Sequence, residues 1–147
     1  MSKTETKKLR TIVVDDEEPI REMIREGLSI RGFRVQTAAS VEEAVSLMQT
    51  RPFDAILCDL NLRAKGAGEN SGLALYTAVS SVSYNGNPRP FFLFMTGEMV
   101  AAAVAEKLVQ TGASILQKPF RMSDLITTLT AALGKTSSGG TQLSRVN

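Results

Sequence analysis

The 147-residue chain has no histidine, one cysteine and no long apolar run. Without histidine it cannot build a histidine metal site or a histidine-activated serine or cysteine nucleophile, and it cannot itself carry a phosphohistidine. The single cysteine, Cys58, excludes an internal disulfide and is expected to pack as a small hydrophobe. No segment reaches the roughly 18 apolar residues of a membrane span. Since the first ten residues also lack the apolar region of a signal peptide, we expect a soluble, cytoplasmic protein.

The small net charge of +2 hides an uneven distribution. Residues 1–10 carry +3 and residues 135–147 carry +2, so the segment between them carries −3. The basic ends could indicate nucleic acid or a membrane surface, but solvated tails are the simpler interpretation, and we expect neither partner. We predict a disordered basic tail over residues 1–8, one domain over 9–134 and a polar tail over 135–147.

Five apolar runs alternate with five helical patterns along the predicted domain. The predicted strands cover residues 11–14, 33–38, 55–59, 91–96 and 114–117. The helical patterns between and after them end at proline, glycine or other turn residues. Strict alternation predicts an α/β fold: a doubly wound, five-stranded parallel sheet with helices on both faces and strands buried on both sides.

Right-handed crossovers bring the carboxyl ends of all five strands to one edge of such a sheet. The side chains expected at that edge are Asp15, Asp16, Asp59, Thr96 and Lys118. Two carboxylates about 4 Å apart repel by roughly 4 kcal/mol, so either their pKa values rise or a cation binds. Oxygen ligands without histidine favour Mg²⁺, which implies phosphate chemistry, and aspartate is a known covalent acceptor of phosphoryl groups. The residues therefore predict a site that receives phosphate on Asp59, with Thr96 and Lys118 donating to the transferred oxygens.

Four stretches together resemble the receiver domain of two-component response regulators of the chemotaxis-regulator type. They are Val13–Glu17 (VVDDE), Ile56–Asp59 (ILCD), Met95–Gly97 (MTG) and Gly112–Phe120, which ends in Lys-Pro-Phe. The resemblance covers the whole of the predicted domain. It implies the flavodoxin-like (βα)5 doubly wound sandwich and a role in a phosphorelay.

By that resemblance Asp59 takes a phosphoryl group from a phosphohistidine on a sensor histidine kinase or a phosphotransfer protein. Asp16 and Asp59 would bind Mg²⁺ directly, Asp15 largely through water, and Asn61 through its backbone carbonyl. Such a domain is not an enzyme with a separate substrate, although it catalyses its own Mg²⁺-dependent phosphorylation and dephosphorylation.

The resemblance also implies roles around the phosphoryl group. Thr96 and Lys118 would hold it, and the Lys118–Pro119 peptide bond would be cis. Gly97 would leave room beside the pocket, while Asn61 and Glu98 would influence the lifetime of the phosphoryl group.

We expect phosphorylation to bias the helix over residues 99–110 and the strand over 114–117. That helix is apolar nearly all round, which core packing alone would explain. The alternative is that its outer side binds a downstream protein, an output domain of the same protein or a second copy. Whether the domain acts alone or belongs to a longer hybrid kinase or regulator is left open by the sequence.

Three features depart from the family pattern. The stretch 62–71 is longer than usual, and it is either a mobile surface loop or, through Arg63 or Lys65, a gate over the phosphate. Ile115 stands where an aromatic switch residue is common. The connection over residues 80–90 is also long, and we have no functional account of it.

Two other functions share some of these features. A Mg²⁺-dependent phosphohydrolase working through an aspartyl phosphate would commonly need a second aspartate two positions after the nucleophile, where this chain has Asn61. A flavin-binding module would need a phosphate-cradling loop after the first strand, where three consecutive acidic residues, 15–17, would repel the ligand.

Overall fold

The computed structural model describes residues 8–62, 71–81, 89–97 and 102–134. Within these ranges five strands and five helices alternate, as the sequence predicts. They are β1 Arg10–Val14, α1 Glu18–Ile30, β2 Arg34–Ala38, α2 Val41–Met48, β3 Ala55–Asp59, α3 Ser71–Ser80, β4 Phe91–Thr96, α4 Ala102–Thr111, β5 Ser114–Gln117 and α5 Met122–Leu133. The predicted tails fall almost entirely outside the described residues.

All five strands pair in parallel, in the order β2-β1-β3-β4-β5. This confirms the doubly wound, flavodoxin-like arrangement. The chain moves outward from β1 to β2 and then crosses back to β3, so the winding direction reverses between β1 and β3. In open sheets of this kind the crevice outside the carboxyl ends at the reversal is where ligands bind.

Alternating side chains of the three central strands build two apolar layers. On one face Ile12, Ile56 and Phe94 pack with α2, α3 and α4. On the other face Val13 and Leu57 pack with α1 and α5. The central strands are therefore buried on both sides, which holds their carboxyl ends in a rigid frame.

Local signals account for several helix ends. Pro19 lies in the first turn of α1, where a proline loses no helical hydrogen bond. Ser40 caps α2 by accepting from the amide of Glu43 at 3.2 Å, and the Glu43 carboxylate accepts from the amide of Ala39. Gly32, with φ of 95°, follows α1 in the left-handed conformation that terminates helices.

The edge strands differ from the prediction that both strand faces are buried. Residues of β2 and β5 are mostly half-buried or exposed, and Ile115 in β5 is 44% exposed. Two apolar helix residues, Met23 in α1 and Ala132 in α5, are also exposed. A strand at the border of the sheet and the outer side of a covering helix both have neighbours on only part of their surface.

No helix in the described part of the chain is both long and apolar enough to cross a membrane.

Candidate functional site

The strand register brings the predicted site residues to one edge. Val14 pairs with Cys58, so Asp15 and Asp59 occupy matching positions at the ends of β1 and β3. Thr96 is the last residue of β4, and Lys118 directly follows β5. The site therefore lies at the reversal of winding between β1 and β3, with β4 and β5 completing one side.

Asp15 is fully buried and both of its carboxylate oxygens accept hydrogen bonds. Its Oδ2 accepts from Lys118 Nζ at 2.9 Å, and its Oδ1 accepts from the amide of Glu17, also at 2.9 Å. Its backbone is held as well, since the amide donates to the carbonyl of Ala38 and the carbonyl accepts from Arg21 Nη1. Asp15 is thus an anchored anion that holds Lys118 in the site.

Asp59 is the more accessible of the two strand-end carboxylates, with 13% of its side chain exposed. Its Oδ2 lies 3.6 Å from Lys118 Nζ, and its Oδ1 accepts a long hydrogen bond, 3.4 Å, from the amide of Asn61. Burial raises the pKa of Asp59 to about 6, and the negative charges of Asp15 and Asp16 act in the same direction. The Lys118 ammonium and the Asn61 amide oppose that rise. At neutral pH Asp59 is therefore ionised, as a nucleophile must be.

Asp16 completes a group of three carboxylates. One oxygen from each of Asp15, Asp16 and Asp59 can be chosen so that the three atoms lie within 4.8 Å of one another. Carboxylate oxygens at this spacing suit a hard divalent cation such as Mg²⁺. The donor set thus fits the metal that the sequence predicts.

Lys118 connects the two carboxylates with strands β4 and β5. Burial by itself would lower the pKa of Lys118, but the hydrogen bond to Asp15 and the charges of Asp15 and Asp59 outweigh it, and the pKa is raised. The backbone amide of Lys118 donates to the carbonyl of Thr96 at 2.7 Å. The Lys118–Pro119 peptide bond is cis, as expected. The ammonium is therefore charged, and the backbone of Lys118 is bonded to the end of β4.

Other predicted positions have mixed outcomes. Thr96 is buried at the strand end, and Cys58 is fully buried with its thiol donating to the Asp59 carbonyl, so it packs as predicted. A Cβ on Gly97 would meet no described atom within 4 Å, and the role expected for Gly97 beside the pocket stays a prediction. Glu98, Arg63 and Lys65 lie outside the described residues.

Two contacts around the site were not predicted from the sequence. Arg21 reaches from α1 to the Asp15 carbonyl at 2.7 Å, and no sequence pattern signals a side-chain contact to a backbone atom. The start of α3, Ser71 and Gly72, packs against the segment that follows Asp59. A serine–glycine pair at a helix start is a weak signal that could have drawn attention to the second contact.

The fold and the acidic cluster with its lysine define the class of protein. A sequence model of the response regulator receiver domain matches residues 11–130. The chain belongs to that family, and it is a receiver domain of the two-component response regulators. The classification confirms the resemblance drawn from the motifs.

Individual relatives agree with this classification. The chain is 28% identical over 129 residues to the two-component response regulator PprB of Pseudomonas aeruginosa. The aligned part covers 86% of this chain and 44% of that protein. The chain is 29% identical over 130 residues to the response regulator MprA of a Mycobacterium species, covering 88% of this chain and 52% of that protein. The chain therefore spans about half the length of these curated relatives.

Solved structures share the fold. The chemotaxis response regulator CheY4 of Vibrio cholerae is 29% identical and superposes with a TM-score of 0.71, over 86% of this chain and all of that one. A response regulator from Chloroflexus aurantiacus is 27% identical with a TM-score of 0.73, over 88% of this chain and all of that one.

The raised pKa of Asp59 makes a prediction about stability in the absence of divalent ions. The native pKa, about 6, lies above the ordinary value of 3.8, so between these values the native state binds more protons than the unfolded state. Stability should then fall as pH rises through this window, and Asp59→Asn should remove that loss. We expect Asp59→Asn to unfold at higher denaturant than wild type at about pH 7.5, with the gain vanishing towards about pH 4.

A suitable control is Glu106→Gln, which neutralises an exposed carboxylate on α4. It should change the free energy of unfolding by less than about 0.5 kcal/mol at either pH. Denaturant titrations of the three proteins at several pH values decide the matter. An Asp59→Asn protein no more stable than wild type at neutral pH would contradict the account of the site.

Proposed function

We propose that Asp59 is the phosphoryl acceptor of this receiver domain and that the donor is the phosphohistidine of a sensor histidine kinase or phosphotransfer protein. The observation that carries the proposal is the pairing of one ammonium with two strand-end carboxylates. Lys118 Nζ lies 2.9 Å from Asp15 and 3.6 Å from Asp59. Of these carboxylates, Asp59 is the one that retains exposed surface.

The chain's own groups account for the transfer. An oxygen of ionised Asp59 attacks the phosphorus, and a P–O bond forms as the P–N bond to the donor imidazole breaks. The imidazole leaves with the bonding electron pair and takes up a proton. Lys118, and the Thr96 hydroxyl at the neighbouring strand end, donate to the oxygens of the transferred group and stabilise their charge. The domain in this way catalyses its own phosphorylation. In dephosphorylation a water molecule attacks the phosphorus, the P–O bond to Asp59 breaks as the new P–O bond forms, and the carboxylate leaves with the bonding electron pair while inorganic phosphate is released.

The acidic group of Asp15, Asp16 and Asp59 fits Mg²⁺. Both oxygens of Asp15 are engaged by Lys118 and the Glu17 amide, which supports a water-mediated role for Asp15. We assign direct binding to Asp16, Asp59 and the backbone carbonyl of Asn61. A bound Mg²⁺ would neutralise these carboxylates together with the oxygens of the transferred phosphoryl group.

Phosphorylation would reach a partner surface through Lys118 and Thr96. A phosphoryl group adds about −1.5 to −2 charge and three acceptor oxygens. It therefore competes with Asp15 for Lys118, whose backbone is bonded to the end of β4. Moving a two-state equilibrium from 1:99 to 99:1 takes about 5.5 kcal/mol, which a few charge-assisted hydrogen bonds can supply.

We place the output surface on α4 and β5. Val109 is 73% exposed and Ile115 is 44% exposed, so apolar side chains on both elements face solvent. The partner would be a downstream protein, an output domain of the same protein or a second copy of this chain. Ile115 is aliphatic, so coupling here does not use a rotating aromatic ring.

The acceptor is tested by incubating the protein with Mg²⁺ and a small acyl phosphate and measuring its intact mass. We expect wild type to gain one phosphoryl group and Asp59→Asn to gain none, because the amide is no nucleophile. The matched control is Asp54→Asn, just before the other end of β3, where the side chain accepts from the Arg10 amide. It should be labelled like wild type. Equal labelling of Asp59→Asn would move the acceptor elsewhere.

The output surface is tested by the oligomeric mass in solution with and without a stable phosphoryl mimic. If the partner is a second copy, the mimic should double the mass. Val109→Glu should prevent this, because it places a charge on the surface that the dimer would bury. Glu42→Gln, which neutralises an exposed carboxylate on α2, serves as a control that leaves association intact. An unchanged mass with the mimic would remove the homodimer and leave the other partners.

A further inference from the structure

Ser71, the first residue of α3, contacts the backbone of Leu62, three residues after Asp59. Ser71 is buried, with 6% exposure, and its Oγ accepts from the amide of Leu62 at 2.7 Å. The same hydroxyl donates to the Leu62 carbonyl over a longer distance, 3.4 Å. One side chain therefore serves both backbone groups of a buried residue, where an unpaired amide would be costly.

The next residue packs directly against the backbone of the acceptor. The amide of Gly72 donates to the Leu60 carbonyl at 2.8 Å. A Cβ built on Gly72 would lie 2.6 Å from the carbonyl oxygen of Asp59 and 3.0 Å from the Cα of Leu60. Both are backbone atoms that cannot move aside as a flexible side chain can. Glycine is needed here for close approach and not for its φ, which lies outside the left-handed region.

The segment between these contacts is held from the opposite side by β4. The amide of Leu60 donates to the Met95 carbonyl at 2.9 Å, and the side chains of Leu60 and Leu62 are buried in the layer beneath α3. Asp59 and Asn61 alternate with these two leucines, and the Asn61 amide reaches the Asp59 carboxylate. The start of α3 and the end of β4 thus clamp the residues that carry the proposed nucleophile and a proposed metal ligand.

We infer that Ser71 and Gly72 are positioning residues for phosphoryl transfer: they hold the Asp59–Leu62 backbone at the spacing that the carboxylate and the Asn61 carbonyl need to share a divalent ion. The inference rests on the proposed function. Neither residue touches the reacting atoms, and each acts through the backbone of the acceptor segment. Positioning contacts of this kind are worth about 10- to 100-fold in metal affinity or activity.

The test compares Ser71→Ala and Gly72→Ala with wild type by Mg²⁺ affinity from calorimetry and by the labelling rate at saturating Mg²⁺. We expect both quantities to fall about tenfold or more in each variant, at a temperature where unfolding data show the protein fully folded. Ser71→Thr retains the hydroxyl and should recover most of both. A residue that served stability alone would lower the unfolding midpoint and leave affinity and rate unchanged.

Two matched controls separate positioning from general effects of the substitutions. Thr77→Ala removes an exposed hydroxyl of the same helix that donates only to the Leu73 carbonyl. Gly27→Ala places a Cβ in α1 where its nearest contacts are atoms of the flexible Met122 side chain. Both should keep wild-type affinity and rate.

The outcomes distinguish this inference from the function on which it rests. Wild type that is not labelled, or is labelled equally after Asp59→Asn, would overturn both. Labelled wild type together with unchanged affinity and rate in Ser71→Ala would overturn the positioning role alone. If Gly72→Ala does not fold, the comparison of Ser71→Ala with Ser71→Thr decides.

Discussion

The structure depends on two carboxylates that end adjacent buried strands and share one ammonium. Asp15 and Asp59 occupy matching positions after β1 and β3, where the sheet brings them close together, and Lys118 contacts both. The carboxylates repel one another. Lys118 offsets part of this repulsion, and a divalent cation would offset more of it. Burial raises the pKa of Asp59 to about 6, and the negative charges of Asp15 and Asp16 act in the same direction. A carboxylate in that condition is stabilised by positive charge brought to it, and a bound divalent cation would supply that charge.

The strands at the site differ in burial: the central strands are buried on both faces, whereas β5 at the border of the sheet is partly exposed. The central strands β1, β3 and β4 are buried on both faces, so the acceptor is built on rigid elements. β5 lies at the border, with half of its residues exposed, and it leads directly to Lys118. Lys118, the cation proposed to contact the phosphoryl group, thus belongs to the least buried side of the sheet. A change at the site can move this border more readily than the centre, because fewer packed contacts oppose it.

The central features of the site follow from period and topology alone. Parallel strands joined by helices must end at one edge, so Asp59 and Lys118 could be brought together without knowing the strand order. The details that escaped prediction depend on neighbours that a local pattern does not contain. Met23 shares helical spacing with core residues of α1 yet is 43% exposed, because spacing alone does not show how narrow the covered stripe of the helix is. Similarly, the contact of Gly72 with the Asp59 backbone depends on where α3 lands after a long connection, and no local propensity encodes that approach.

A Mg²⁺ titration of wild type and Lys118→Gln tests directly whether Lys118 and a divalent cation compete for the same carboxylates. Loss of the ammonium leaves Asp15 and Asp59 without their only described ion-pair partner, so the variant should bind Mg²⁺ more tightly than wild type at neutral pH. Lys107→Gln on the exposed side of α4 should bind like wild type. Equal or weaker binding by Lys118→Gln would contradict the account, since Lys118 and the cation would then not share these carboxylates.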